Sequence, residues 1–231
     1  MAVTERDLHA TLLAGLEALQ LNLSETQIGQ LLAYQAMIAK WTKVYNLTAV
    51  RGPAEMMTHH LLDSLAAVPA LQRHLRSAGR KEGTRLLDVG SGAGLPGVVI
   101  AICCPTVSVT CVDTVAKKAA FIKQAALALK LPNLAGLHAR VESISQPFDV
   151  VCSRAFASLL DFTSWSSGAL APHGVWMAMK GKHPHDELEA LPKNVTMFHV
   201  EQLQVPGLQA ERCILWLQPR SEEHTSELQS P

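Results

Sequence analysis

The sequence predicts an α/β fold, with a seven-stranded, mostly parallel sheet that ends in an antiparallel hairpin and follows an N-terminal helical extension. Three observations carry this. Through residue 76 the apolar residues recur at helical spacing. From Arg85 onward, short β-branched runs alternate with helical stretches, the pattern of βαβ units. The last two strand-like runs are joined by the short Pro206-Gly207-Leu208-Gln209-Ala210 connection, too brief for a crossover helix, so they pair as a hairpin.

Thr4 followed by Asp7 has the form of a capping box, after which Leu8, Leu12, Leu16 and Leu19 recur at helical spacing. A second start falls at Ser24 with Gln27 as box partner. Ile28, Leu31, Leu32, Gln35, Ile38 and Trp41 then carry a helix to about Lys43. Pro53 suits the first turn of a third helix, running through His59, His60, Leu62 and Leu65 toward Leu75. Strands are expected at 85–89, 107–112, 134–139, 148–153, 174–179, 196–205 and 212–217, with helices between them. The resulting division is a helical extension at 1–76, a polar connector at 77–84 and a sheet domain at 85–219.

Residues 220–231 show no apolar periodicity, and from Arg220 through Ser230 they match the in-frame translation of a common sequencing-adapter oligonucleotide, so this tail reads as artefactual. Without it the chain carries 19 basic against 17 acidic residues, compared with 20 of each in full. A whole-molecule field that weak excludes strong bulk attraction to nucleic acid or anionic membrane; any basic surface must be local. The five cysteines show no CxxC spacing and four lie in apolar runs, which points to buried thiols in a reducing cytoplasm and no zinc site. No leader and no run of about 18 apolar residues indicates export or a membrane span.

The stretch Leu86-Leu87-Asp88-Val89-Gly90-Ser91-Gly92-Ala93-Gly94 is a strand opening into a glycine turn, where backbone N–H groups can approach a ligand closely. Gly92, Gly94 and Gly97 also satisfy GxGxxG, with Asp113 about 20 residues on, as a dinucleotide fingerprint asks. Asp88, near the end of the strand, favours S-adenosylmethionine, whose sulfonium and ammonium suit an adjacent acid; a turn-capping aspartate is the structural alternative. A parallel sheet with a terminal antiparallel hairpin is the methyltransferase variant of the Rossmann-like fold. Asp113, ending the second strand, is placed for ribose hydroxyls or for capping the helix that starts near Val115. Glu142 and the backbone of Val141 fall where adenine-edge contacts arise in this architecture.

Taken together, Trp41-Thr42-Lys43-Val44-Tyr45-Asn46-Leu47-Thr48, His60-Leu61-Leu62-Asp63-Ser64, the turn through Gly97, and Ser153-Arg154-Ala155-Phe156-Ala157 resemble the bacterial 16S ribosomal RNA guanine-N7 methyltransferases, the glucose-inhibited division protein B family. The resemblance runs from about Leu12 to Leu217, with Ala93 where many members carry proline. It implies a class I methyltransferase that uses S-adenosylmethionine to methylate N7 of one guanine in 16S ribosomal RNA or the small ribosomal subunit. It also implies cofactor contacts at Gly90, Leu95, Val141, Glu142 and Arg154.

Guanine N7 carries an in-plane lone pair at neutral pH, so no general base is expected. Arg154, leaving the fourth strand, is the candidate for orienting cofactor and guanine, or else a surface arginine near a helix cap. Lys117, Lys118, Lys123, Arg140, Lys180 and Lys182 lie near successive strand ends and would form a basic rim for RNA phosphates, with Lys117, Lys118, Arg140 and Lys180 the main candidates. Trp41, Tyr45 and Asn46 read as core packing or as RNA contacts. His59 and His60 have no carboxylate or cysteine at ligand spacing, so no metal is expected. A monomer is expected. The competing readings are an NAD-dependent oxidoreductase, from GxGxxG, and a non-catalytic S-adenosylmethionine- or RNA-binding module, against which the pocket acids Asp88, Asp113 and Glu142 speak.

Overall fold

In the computed structural model of the chain, residues 3–79, 82–154, 156 and 158–220 are described. The expected tail from Ser221 onward, and Ala155 and Ala157 of the fourth motif, lie outside them.

Helices α1 (Glu5–Ala18) and α2 (Glu25–Tyr45) start where their capping boxes put them. Asp7 N–H donates to Thr4 Oγ1 at 3.2 Å while the Asp7 carboxylate accepts the Thr4 N–H at 2.9 Å, and Ser24 and Gln27 repeat the exchange. Each cap is worth about 1 kcal/mol. The third helix differs from the expected single run. Short α3 (Pro53–Met56) passes into a π-helical stretch, Met57–Leu62, then α4 (Asp63–Leu65), and after a break at Ala66 and Ala67 the chain re-enters α5 (Val68–Ser77). Pro69 explains the break, since it lacks an N–H and suits only a first turn. Residues 60–68 are all buried, through the π-helical stretch and α4 alike, so this segment is enclosed on every side, which a one-faced 3.6-residue period does not foresee.

The strands are β1 (Arg85–Val89), β2 (Ser108–Asp113), β3 (Leu134–His138), β4 (Phe148–Ser153), β5 (Leu170–Lys180), β6 (Val195–Leu203) and β7 (Arg212–Pro219). Between them lie α6 (Gly97–Cys103), α7 (Ala116–Ala128), α8 (Leu159–Ser166) and α9 (His185–Glu189). The sheet order is β3-β2-β1-β4-β5-β7-β6; the first five strands are parallel, and β7 runs antiparallel to both neighbours, as the short connection requires. β1 and β4 occupy the expected residues. β5 starts four residues earlier than the expected 174, at Leu170. Pro172 and Gly174 read as turn signals, yet here they sit in an irregularity where the register with β4 shifts between Phe148 and Val150.

Side-chain alternation splits the core. Leu86, Val150, Cys152, Met177 and Trp216 share one cluster with α1, α2, α5 and α6, while Leu87, Val151, Trp176, Leu215 and Leu217 form a second cluster with α8. The helical extension therefore seals one sheet face. The strand order reverses between β1 and β4, so the chain leaving their carboxyl ends diverges and opens a crevice there. Among the described residues no helix is long and apolar enough to cross a membrane.

Candidate active site

The glycine turn is held by backbone and side chains from three directions. Gly90 N–H donates to Val112 O at 2.9 Å, tying the turn to β2, and Leu95 N–H closes it on Ser91 O at 3.1 Å. Asp113 Oδ2 accepts the Gly92 N–H at 2.9 Å while its Oδ1 accepts Val115 N–H at 2.9 Å. Tyr34 of α2, wholly buried, donates its hydroxyl to Ala93 O at 2.6 Å. From beneath, Asp88 Oδ2 accepts the N–H of Gly97 at 2.8 Å. Gly90, Gly92 and Gly94 all adopt positive φ, and a Cβ on Gly94 would come within 2.4 Å of Val98 Cγ2. The β-branched alternatives of a strand are closed to this segment.

Beyond the turn lies a cleft of about 480 Å³ walled by Gly90, Asp113, Val115, Val141, Glu142, Phe156 and Trp165, with Lys118 and Arg140 at its edge. Asp113 thus braces the turn and faces the cleft at once, although the start of α7 has no side-chain cap. Phe156 packs edge-on to Trp165 at 5.6 Å between ring centroids, giving the cleft an aromatic wall. Gly90 borders this space and a Cβ there would meet nothing within 4 Å, so a ligand can lie directly on its backbone. Two carboxylates, Asp113 and Glu142, with an aromatic wall and a bare glycine floor fit the adenosine end of S-adenosylmethionine.

The remaining expected site residues fall elsewhere. Gly92 and Gly94 shape the turn rather than line the cleft, and Leu95 is buried beneath it. Asp88 is 0% exposed, and its Oδ1 has no hydrogen-bond partner. Burial raises its carboxyl from 3.8 to about 7, against the opposing pull of the Gly97 N–H and the Arg154 charge. The folded protein keeps this proton up to about pH 7, whereas the unfolded chain releases it near 3.8, so the folded state binds more protons between those values. Stability from the neutral form is complete below that window and falls as pH rises through it. We expect the urea midpoint of Asp88→Asn to gain on that of the parent protein between about pH 4 and about pH 7. Parallel midpoints would exclude Asp88 as the source.

Arg154 turns away from the glycine turn into a neighbouring cleft of about 310 Å³ that it shares with Asp63, His59, Lys180 and Arg212. Its Nη1 donates to Asp63 Oδ2 at 3.0 Å and to His59 O at 2.8 Å, and Arg212 Nε donates to Asp63 Oδ1 at 2.7 Å. Asp63, almost fully buried, therefore holds two guanidinium groups. His60 Nδ1 lies 3.1 Å from the His59 carbonyl and 3.3 Å from Arg154 Nη2, and its Nε2 lies 2.6 Å from Thr48 Oγ1. Burial, then the Arg154 charge, lowers His60 to about 4, which keeps that ring neutral at pH 7. Lys180 donates to both carboxylate oxygens of Glu187, at 2.8 and 3.0 Å, so its charge is paired. Lys117 stands beside Tyr45 in a third cleft.

Sequence reasoning missed Tyr34, Phe156, Trp165, Asp63 and Arg212. Tyr34 follows Leu31 at helical spacing, and Asp63 and Phe156 stand in the segments 60–64 and 153–157 that carry the family resemblance, so each carried a signal; Trp165 and Arg212 carried none. All five cysteines are free and buried. Among the described residues no group of three His, Cys, Asp or Glu side chains could hold a metal ion.

The family described as rRNA small subunit methyltransferase G matches residues 27–215. A protein of Polaromonas naphthalenivorans named ribosomal RNA small subunit methyltransferase G is 81% identical over 221 residues, covering 96% of this chain and all of that protein. One of the same name from a Polaromonas species (strain JS666) is 76% identical over 217 residues, covering 94% of each chain. Among solved structures, TrmN from Thermus thermophilus superposes with a TM-score of 0.52 at 22% identity, over 71% of this chain and 53% of that one, a likeness of fold.

Proposed function

The chain belongs to the rRNA small subunit methyltransferase G family, and from that premise we propose that it methylates N7 of one guanine in 16S ribosomal RNA. S-adenosylmethionine is the cofactor, and the observation that carries the reading is the cleft over Gly90 with Asp113, Glu142 and Phe156 around it. Membership of the family sets aside the nicotinamide reading of Gly92, Gly94 and Gly97.

Bound, the cofactor supplies an electrophilic sulfonium methyl. Gly90, Val141 and Glu142 would hold its adenosine end, and Asp113 the ribose hydroxyls. Asp88 would act from below the turn without touching the ligand, its Oδ2 holding the Gly97 N–H and so fixing the start of α6 under the cleft. Since N7 is nucleophilic as it stands, the residues have orientation rather than proton transfer to provide, and orientation alone can supply large rate gains. Arg154, fixed by Asp63 and the His59 carbonyl, is the group we assign to orient the guanine. Lys117, Lys118 and Arg140 would take RNA phosphates; Lys180 contributes less, its ammonium being matched by Glu187. We take residues 1–76 as a helical extension to the 85–219 domain, and the protein as a cytoplasmic monomer.

The test is incubation with labelled cofactor and undermethylated small ribosomal subunits, followed by mapping of the label. Label at one guanine N7 is expected. Label at another atom, or none, would overturn the proposal and leave the fold untouched.

A further inference from the structure

A third cleft, of about 400 Å³, adjoins the one over Gly90 and shares Val115 and Lys118 with it. Tyr45, Asn46 and Leu47 at the end of α2 face Val115, Lys117 and Lys118 at the start of α7. The chain builds it deliberately. Asn46 ends α2 in the left-handed region at φ 50°, and Leu47, 7% exposed, pulls the following backbone into the core. Tyr45 is thereby left 47% exposed at the helix tip instead of folding inward. Trp41, one turn earlier, supports it at 5.1 Å between ring centroids and itself packs edge-on to buried Phe121 at 5.2 Å. Three aromatic rings form a column that starts in the core and ends in solvent.

The surroundings of the exposed ring are apolar and cationic. Val115, in the cleft lining, is 42% exposed, and Lys117 Nζ lies 5.6 Å from the Tyr45 centroid. Among the described residues no Asp or Glu lines the cleft. Lys117 and Lys118 occupy the first turn of α7, which has no acidic residue and no side-chain cap, so both stand where the helix dipole disfavours a cation. Lys118 is offset by Asp113, its Nζ 3.9 Å from Oδ2, which leaves Lys117, over the Tyr45 ring, as the cation placed against that preference. A rigid, half-exposed aromatic next to such a lysine matches a single-stranded nucleotide, which offers a π face and a phosphate together.

We propose that this cleft binds an unpaired nucleotide of the RNA substrate next to the one being methylated, its base stacked on Tyr45 and its phosphate on Lys117. The inference rests on the RNA methyltransferase reading, from which it takes the substrate. It adds the site that holds the flanking strand: Lys117 leaves the ring for the phosphate, and the base takes its place.

The experiment measures binding of a short single-stranded RNA oligonucleotide by the full chain, together with steady-state methylation of small ribosomal subunits. Tyr45→Ala is expected to weaken RNA binding roughly tenfold and to raise KM for RNA more than it lowers kcat, with cofactor affinity within about twofold. Tyr45→Phe keeps the π face and should bind like the parent. Lys117→Gln should flatten the slope of log K against log salt by about 0.7. Phe198→Ala, on β6, is a control that removes another half-exposed aromatic and should leave RNA binding unchanged. Unaltered binding by Tyr45→Ala, or Tyr45→Phe as damaging as alanine, would overturn the stacking site. Should Tyr45→Ala fail to fold, an unchanged salt slope in Lys117→Gln would overturn it instead. Tyr45-dependent RNA binding without labelled guanine would support this cleft while counting against the methylation reading.

Discussion

Gly97→Ala is expected to cost about 2–4 kcal/mol of stability, a large effect for one methyl group. Gly97 opens α6 directly above Asp88, and a Cβ there would lie 2.4 Å from Cys111 Sγ and 2.8 Å from Asp88 Oδ2. Both atoms end short, wholly buried side chains with little room to turn aside, and Asp88 and Cys111 sit on adjacent strands of the sheet, paired in register. Relief must come from moving α6 outward or turning the carboxylate, and either weakens the 2.8 Å bond from the Gly97 N–H to Asp88. That N–H is the backbone donor Asp88 has, so a buried carboxylate would lose its support. Gly90→Ala makes the contrast. A Cβ on Gly90 meets nothing within 4 Å, so the cost to the fold is the positive φ alone, about 1–2 kcal/mol, while the new methyl enters the cleft. Urea unfolding and equilibrium dialysis against S-adenosylmethionine separate the two. Gly97→Ala should lose chiefly stability and Gly90→Ala chiefly cofactor affinity. A Gly97→Ala protein within about 0.5 kcal/mol of the parent would show that the packing over Asp88 is slack.

What was legible in the sequence was what short-range chemistry decides. Capping boxes at Thr4 and Ser24 name their own helix starts, and the bounds of β1 follow from an apolar run stopped by glycines that only a turn would use. The antiparallel place of β7 follows from a connection too short to cross over. The losses come where distant segments meet. That Asp88 is sealed under the turn depends on α6 lying across it, and Tyr34 reaches the turn only because α2 packs along that face of the sheet. The pairing of Asp63 with Arg154 and Arg212 spans 91 and 149 residues of sequence, over which no periodicity carries information. For the same reason Arg154 was foreseen as a site residue, while its orientation away from the glycine turn was not.

That pairing sets up the largest expected effect on activity. Arg154→Ala should reduce methylation by about 100-fold or more while costing only about 1–2 kcal/mol of stability. Two features of the network make the split asymmetric. Asp63 keeps Arg212 at 2.7 Å when Arg154 is removed, so the buried carboxylate never stands unpaired, and the group that loses a donor is the carbonyl of His59, a residue that lines the cleft. Orientation has no such reserve, because Arg212 enters from β7, across the cleft from the end of β4, and cannot present a guanidinium where Arg154 does. Asp63→Ala should lose more stability. It strips the counterion from both arginines at once and should cost about 3–5 kcal/mol, and because Asp63 holds Arg154 the protein that still folds should also methylate more slowly. Combining the two substitutions should cost less than the sum of the single losses, since they share one interaction. Thermal melting and single-turnover methylation of small subunits, measured on all three variants, decide the matter. If Arg154→Ala loses stability and activity in equal measure, the arginine is a strut of the Asp63 network and the guanine is oriented by something else.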